Sequence, residues 1–445
     1  ATLNVPTQLE FDATGNLLFT DRANGRVRRI AAGTPPPPPT MGCGAVITAT
    51  TTLTADVGPC PGDGLIIGAN NITLNLNGHT ISGTGAGDGS HAGIRLTARS
   101  GVRIAGTPGS TVRGFSAGVA IIGGSGNRVS GLTIRDNVGP ISDQAIFGDG
   151  VAVFFSANNT IIDNTIAHNG VYDGVGILGP NSNDNRILNN RISDTVDMGQ
   201  ISGGTGNGVI VNAFLDENFP REQSVHRNSI IGNRIETSDN SGVANLSNVD
   251  GVVANNLIRG NGRDPANNPR NGIGVRHLER AQSDTHMIIQ ANTVVDNHGG
   301  DGIQIGAEVN TVSVNQVHGN DDGILVTQQG HRNQILNNDA SNNLAATGFA
   351  DLDDENFTFI PTFPFQLFDC DQNTWRGNIW GSGGYFPDCT AIGGHPAPGG
   401  PPGPMPAAAS SPSAGAPLTA RAARPASPPA SPPDDTVKRG HPPMP

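Results

Sequence analysis

Several residue types that are common in globular proteins are scarce in this chain of 445 residues. Lysine occurs once, at Lys438, and the formal net charge is −12. Nothing therefore supplies the basic surface that binding to nucleic acid requires. Aromatic residues make up 4% and charged residues 14% of the chain, too few for a conventional core. No apolar run approaches the roughly 20 residues of a membrane-spanning helix.

Cysteine is also rare, and its four residues form two local pairs, Cys43 with Cys60 and Cys370 with Cys389. None has the spacing of a zinc site. The pairs predict two disulfides and an oxidising, extracellular or cell-surface location. Four unpaired buried thiols are the alternative.

What the chain has in abundance is a repeat, in which an apolar residue is followed three positions later by Asn and two positions after that by another apolar residue. The occurrences are Ile161/Asn164/Ile166, Ile187/Asn190/Ile192, Ile230/Asn233/Ile235, Val252/Asn255/Leu257, Ile289/Asn292/Val294, Val312/Asn315/Val317, Ile335/Asn338/Ala340 and Trp375/Asn378/Trp380. Asp-Gly or Asn-Gly followed by an alternating strand pattern accompanies them, for example at Asp149, Asp173 and Asp301.

This pattern predicts short strands with aliphatic residues directed inward. Each Asn is placed at a bend, where a left-handed backbone is tolerated and the amide bonds to the stacked neighbour. The Asp-Gly and Asn-Gly pairs mark the next turn. The base coil of about 21–24 residues predicts an all-β, right-handed, three-sided parallel β-helix, with disulfides bracing its ends.

The coils, together with Cys43-Gly44, Cys60-Pro61-Gly62 and the run from Asn75 to Ile81, resemble the pectin-lyase-like superfamily. More narrowly, they are similar to bacterial right-handed parallel β-helix repeat proteins of the NosD/CASH type. The resemblance covers about residues 43–392. It implies a fold that hosts lyases, hydrolases, epimerases and non-enzymatic proteins, so it leaves the activity open.

These patterns divide the chain into four predicted segments. Residues 1–33 resemble a single repeat of the NHL propeller type, with two strand patterns, and are either a fragment of a larger domain or a lone hairpin. Residues 34–41 form a Pro-rich linker, and residues 42–392 form the β-helix. Residues 393–445 form a disordered tail rich in Pro, Ala and Ser. Trp375 and Trp380 are predicted to plug the last coil, and ligand stacking is the alternative.

Insertions cluster before and after one strand of the coil and are predicted to flank one sheet. Its outward residues are small or apolar, which predicts a shallow trough for a linear glycan. Loops folded down over the sheet are the alternative. The predicted floor residues are Ala152, Gly176, Ile210, Ala244 and Gly274.

Ionisable residues in the insertions are the candidates for catalysis. Arg276 and His277 come first, because they leave the floor strand directly. The others are Glu279, Asp216, Glu217 and Arg221. Paired carboxylates could hydrolyse a glycoside, and Arg or His could remove a proton from a uronate.

No motif assigns a reaction, so the sequence predicts a secreted, monomeric polysaccharide-binding protein. A polysaccharide lyase, glycoside hydrolase or epimerase is the alternative. No cofactor is expected; calcium is the alternative, with Asp351, Asp353 and Asp354 as its candidate ligands.

Overall fold

A computed structural model describes the part of the chain that is discussed below. The described residues are 2, 4–13, 16–30, 41–85, 89–140, 147–197, 205–213, 224–265, 270–277, 284–344, 351–356, 358–361, 366–370 and 372–398. The chain divides into two units, residues 1–40 and 41–445. Among the described residues, no helix has the length and hydropathy needed to cross a membrane.

The first unit is a three-stranded antiparallel sheet with the strand order Pro6–Phe11, Leu17–Asp21, Arg26–Ile30. A 3₁₀ turn, Arg22–Asn24, precedes Gly25, whose left-handed backbone (φ 58°) reverses the chain into the third strand. The sequence predicted two strands. The third escaped notice because its arginines interrupt the apolar alternation.

The second unit contains three long parallel sheets, and most coils contribute one strand to each of them. Sheet A has thirteen strands, in spatial order Ala45–Ile47, Leu65–Ile67, Ala92–Thr97, Ala117–Ile122, Val151–Phe154, Val175–Leu178, Val209–Asn212, Val243–Leu246, Ile273–Arg276, Asp301–Gly306, Asp322–Val326, Leu352–Asp354 and Tyr385–Phe386. This order follows the chain, as expected of a solenoid.

Sheets B and C complete the three-sided tube. Sheet B consists of Thr51–Thr52, Thr73–Asn75, Arg103–Ala105, Arg128–Ser130, Thr160–Ile162, Arg186–Leu188, Ser229–Ile231, Val252–Ala254, Ile288–Gln290, Thr311–Ser313, Gln334–Leu336 and Thr374–Arg376. Sheet C consists of Val57–Cys60, Thr80–Gly83, Thr111–Arg113, Thr133–Arg135, Thr165–Ala167, Arg191–Ser193, Arg234–Glu236, Leu257–Arg259, Thr293–Val295 and Gln316–His318.

Smaller elements lie at the corners and at the C-terminal end. They are the parallel pairs Val225–His226 with Asn248–Val249 and Ile379–Trp380 with His395–Pro396, the antiparallel pair Thr358–Pro361 with Gln366–Asp369, and the 3₁₀ turn Asp388–Ala391. The segment predicted as a disordered tail thus begins with paired residues, and its part after residue 398 lies outside the described residues.

The core is a stack of inward-facing aliphatic side chains, one from the middle of each short strand. In sheet B these residues are Leu74, Ile104, Val129, Ile161, Ile187, Ile230, Val253, Ile289, Val312, Ile335 and Trp375, each at most 2% exposed. Burial of each stabilises the fold by about 1.5–3 kcal/mol. A stack of aliphatic side chains from repeated short strands can therefore form a core without the many aromatic side chains that this chain lacks.

The predicted asparagine ladder is present at the corner between sheets B and C. The side-chain oxygen of each Asn accepts bonds from the backbone N–H and the amide of the preceding one, at 2.8–3.1 Å. The ladder runs through Asn164, Asn190, Asn233, Asn256, Asn292, Asn315, Asn338 and Asn378.

One repeat was assigned wrongly: the unit is Val253/Asn256/Ile258, not Val252/Asn255/Leu257. Asn255 lies just before the ladder in the left-handed conformation (φ 56°). The same arrangement recurs in the other coils, where the residue just before the ladder Asn has the left-handed conformation, as Asp163 does before Asn164.

Two further ladders, which the sequence did not reveal, occupy the other corners. The first includes Asn127, Asn159, Asn185, Asn228 and Asn248, and later Asn310, Asn333 and Asn373. The second includes Asn137 and Asn169, then Asn261, Asn297, Asn320 and Asn343. Each satisfies backbone groups that the bends leave unpaired.

The recurring Asp-Gly and Asn-Gly pairs have a steric cause. A Cβ on Gly208 would lie 2.7 Å from the Gly242 carbonyl oxygen and 2.3 Å from the Ile235 side chain. The same holds along the column Gly64, Gly93, Gly118, Gly150, Gly174, Gly208, Gly242, Gly272, Gly302 and Gly323. These glycines allow the coils to approach; the prediction that they only mark a turn missed this.

Both predicted disulfides are formed, Cys43–Cys60 with Cα atoms 5.4 Å apart and Cys370–Cys389 with Cα atoms 5.8 Å apart. At the C-terminal end Trp375 and Trp380 are 2% and 6% exposed. The Trp380 ring packs edge-on against Tyr385. Their burial fits a plug and leaves neither ring open to a stacked sugar.

Candidate functional site

The five predicted floor residues stack in register on consecutive strands of sheet A. The row continues at both ends and comprises Arg95, Ala120, Ala152, Gly176, Ile210, Ala244, Gly274, Gln304, Leu325 and Asp353. Within it, Ala120, Ala152, Ile210 and Ala244 pack in a cluster separate from the tube interior. The row therefore lies on the outward face of the sheet.

The N-terminal half of this face is covered. Ala152 is fully buried and Ile210 is 4% exposed, and both pack with Phe147, Phe154 and Leu178. Arg95 lies over the Phe147 ring at 5.3 Å. A surface ligand would reach the partly exposed Ala244, but it would meet Ala152 and Ile210 only if the covering side chains moved.

The C-terminal half of the face carries a chain of polar side chains. The guanidinium of Arg276 donates from Nη2 (2.9 Å) and Nε (3.3 Å) to Oε1 of Gln304. Nε2 of Gln304 donates to Oδ2 of Asp301 at 2.6 Å. Neighbouring strands of sheet A place these residues side by side, with Arg276 opposite Gly306 and Gln304 opposite Gly274.

The charge of Arg276 is poorly compensated. In the described part of the chain its hydrogen bonds go to the neutral Gln304, and it belongs to none of the ion pairs. Burial lowers the pKa of the Arg276 guanidinium, and the charge of Asp301 acts in the opposite direction. The arrangement leaves donors of a partly buried cation available to a ligand.

His277 follows Arg276 and is partly buried. Its Nδ1 has no hydrogen-bond partner among the described residues. The structure thus keeps the two leading candidates together. The other four, Glu279, Asp216, Glu217 and Arg221, lie outside the described residues, so their roles stay predictions.

The three calcium candidates do not converge. Oδ1 of Asp351 accepts bonds from Asn343, and its Oδ2 accepts the backbone N–H groups of Gly381 and Gly383. Asp353 lies on the outward row, whereas Asp354 points inward. Within the described ranges, no three His, Cys, Asp or Glu side chains are grouped so that they could hold a metal ion, and calcium binding by these carboxylates stays a prediction.

Asp354 is instead part of the C-terminal plug. The indole N–H of Trp375 donates to its Oδ2 at 2.8 Å, and the backbone N–H of Asn356 donates to its Oδ1 at 3.0 Å. Burial raises the pKa of Asp354 to about 7, although these hydrogen bonds oppose the shift. Burial also raises the pKa of Asp351.

Sequence reasoning missed Gln304 and treated Asp301 only as a turn marker. A signal was available, because Gln304 is an uncharged polar residue in a row that is otherwise small or apolar from Ala120 to Gly274. The register needed to place it opposite Gly274 follows once the strands are aligned on their Asp-Gly pairs.

Comparison with known proteins bears on the fold. A family profile described as "Right handed beta helix region" matches residues 63–219, within the stack of three parallel sheets. This is a right-handed parallel β-helix protein. None of the curated protein sequences matches the β-helix protein.

Solved structures similar to this β-helix protein include three with low sequence identity. The Dettilon tailspike protein is 15% identical, with 80% of this chain and 61% of that chain covered and a TM-score of 0.39. The mannuronan C-5 epimerase A-module of Azotobacter vinelandii is 16% identical, with 78% and 84% covered and a TM-score of 0.40. A pectate lyase is 15% identical, with 74% and 70% covered and a TM-score of 0.36.

Proposed function

We propose that this protein binds a linear polysaccharide outside the cell, along the outward face of sheet A. The observation that carries the proposal is the stretch of the outward row where the partly exposed Ala244 lies beside Gly274, on the same strand as the partly exposed Arg276. A flat strip of small residues with a few polar groups at a fixed place suits an extended sugar chain.

The distribution of insertions supports this face over the other two. Between sheets B and C the chain turns with constant spacing, as in Ile161/Asn164/Ile166. The long connections lie before sheet A strands, as in 194–208, or after them, as in 213–224 and 277–287. Variable segments beside a rigid sheet are the usual place for ligand contacts.

Location outside the cell is supported by the two disulfides, which persist in oxidising compartments. They close the first and last coils, where the solenoid would otherwise present open edges. A stable, capped tube is a suitable carrier for a binding strip in an extracellular setting.

A matched pair of substitutions tests the binding face. Ala244→Trp places a large side chain on the strip, and Ala167→Trp makes the same change on the outside of sheet C. Both residues are partly exposed. On a glycan array, the wild type and Ala167→Trp should bind the same polysaccharide, and Ala244→Trp should lose at least tenfold in affinity. Equal binding by all three proteins, or no binding by the wild type to any glycan, contradicts the proposal.

Cleavage of the bound chain is the second candidate function, favoured by one observation. The imidazole Nδ1 of His277, which adjoins Arg276, has no hydrogen-bond partner in the described region, and a positioned imidazole is the most frequent general base. Lyase turnover would appear as ultraviolet absorbance of an unsaturated product and hydrolysis as new reducing ends. Binding without either signal would restrict the function to recognition.

A further inference from the structure

We infer that Arg276 and Gln304 form a subsite for an anionic group, a carboxylate or a sulfate, carried by the polysaccharide. The inference rests on the proposed function and specifies the ligand class at one point of the strip. It concerns recognition only and requires no bond to be broken.

The first argument is that the hydrogen-bond partner of Arg276, the Gln304 amide, is neutral and uses only part of the guanidinium. A guanidinium offers five N–H donors in a fixed plane, and Gln304 Oε1 engages those on Nη2 and Nε. The Nη1 donors have no protein acceptor within the described residues. A carboxylate or sulfate oxygen is the acceptor that suits such donors best.

The second argument is the way in which Gln304 is held. Its Nε2 donates to Asp301 Oδ2 at 2.6 Å, and the backbone N–H of Asp301 donates to Asn271 Oδ1 at 3.0 Å. Because the carboxylate can only accept, the amide nitrogen must face it and the amide oxygen must face Arg276. The Gln304 amide thus lies between the Asp301 carboxylate and the Arg276 guanidinium. It orients the guanidinium without forming an ion pair with it.

The third argument is space on the Gly274 side of the pair. Among the described residues, a Cβ built on Gly274 would meet Asn271 alone, with Nδ2 at 3.3 Å, whereas one built on Gly306 would lie 3.1 Å from Oγ1 of Thr327. The outward row therefore has no side chain at Gly274, directly beside Gln304. Gly274 and Gln304 are themselves buried, and the partly exposed Ala244 and Arg276 are the neighbouring points that a sugar can contact.

The fourth argument is energetic. Removing a cation from water is costly, and burial lowers the pKa of Arg276 although the charge of Asp301 acts against the shift. An anion that binds there offsets this cost, whereas a neutral sugar does not. The subsite should therefore discriminate by charge.

The test reads Arg276 directly in the full-length protein. The Nε–Hε resonance of Arg276 is assigned by its disappearance in Arg276→Lys and followed by NMR while glucuronate, inorganic sulfate or glucose is added. We expect saturable shifts with glucuronate, with sulfate or with both, and none with glucose. Response to one anion alone identifies whether the group is a carboxylate or a sulfate.

Two variants with the same charge change make the test specific. Gln304→Glu puts a carboxylate against the guanidinium and should weaken anion binding at least about tenfold. Gln316→Glu adds the same charge at an exposed position on sheet C of the same coil and should leave binding unchanged.

The outcomes separate the inference from the function on which it rests. No shift of the Arg276 resonance with either anion, a shift with glucose of equal size, or undiminished binding by Gln304→Glu overturns the anionic subsite. Polysaccharide binding on the glycan array that Ala244→Trp abolishes would still stand in each of these cases. If the wild-type protein binds no polysaccharide on the array, the proposed function itself is overturned.

Discussion

The asparagine ladders of the middle coils pass hydrogen bonds from amide to amide, whereas the last coil has the buried carboxylates of Asp351 and Asp354 where an amide or an aliphatic side chain stands in the coils before it. An amide both donates and accepts, so Asn256 accepts from Asn233 and donates to Asn292. A carboxylate only accepts. Asp351 takes the bonds of Asn343 and passes none on, and the ladder at this corner ends there.

The same contrast holds in the tube interior. Val326 points inward on its strand, and the residue paired with it on the next strand is Asp354. The aliphatic position of the middle coils thus becomes an acceptor for the Trp375 indole N–H. The last coil thus contains two buried carboxylates, Asp351 and Asp354, whose pKa is raised by burial.

Breaking the amide ladder should have the largest effect. Asn256→Ala removes bonds to Asn233, Asn292 and the Ile230 carbonyl and leaves buried groups unpaired. We expect a loss of about 4 kcal/mol in the free energy of unfolding, measured by urea denaturation. Asn255→Gly, one residue away in the left-handed conformation, should cost almost nothing; a large cost there would restore the register first predicted from the sequence.

Titrating the last coil should have the next largest effect. Asp354 has a pKa of about 7 in the fold, against an ordinary value of 3.8. The folded state therefore binds the proton more tightly, and its stabilising contribution is complete below pH 3.8 and lost as pH rises to about 7. Between pH 5 and pH 8 the loss should be about 3 kcal/mol, visible first in Trp375 fluorescence.

Asp354→Asn provides the control for this titration, because the amide keeps an oxygen for the indole N–H but does not ionise. The variant should show a smaller decrease in stability between the two pH values. A pH dependence identical to that of the wild type would assign the titration to other groups, such as Asp351, whose pKa is also raised by burial.

Adding a methyl group between coils should have the smallest of the three effects. Gly208→Ala brings a Cβ within 2.7 Å of the Gly242 oxygen and should cost about 2 kcal/mol through local overpacking. Gly42→Ala is the matched control, since its Cβ would meet nothing within 4 Å. Equal melting temperatures for the two variants would show that the coils can separate, contrary to the close stacking described.

The sequence was informative about the fold because each coil repeats the same constraints. Inward aliphatic residues, the corner Asn and the cysteine pairs could all be read without coordinates. The error at Asn255 arose where two asparagines are adjacent and spacing alone does not choose between them. The two further ladders were missed because Asn127 or Asn137 is not framed by a fixed apolar triplet.

The candidate site was harder to predict for a physical reason. Arg276 and His277 were found because they end a strand. Gln304 and Asp301 act on Arg276 from the next coil, about thirty residues further along the chain, and only the strand register brings them together. Burial of Ala152 and Ile210 was also invisible, since Phe147, which packs against the same face, comes from an insertion without a repeat pattern.

The ladders also determine how the molecule could change in length. Asn292, Asn315 and Asn338 are spaced by 23 residues and present identical bonding groups to the coils on either side. Removing one such interval would join two surfaces that already match, whereas removing part of a coil would not. The tube can therefore gain or lose whole turns as interchangeable units, and the distance over which it contacts an extended ligand can vary without any redesign of its interior.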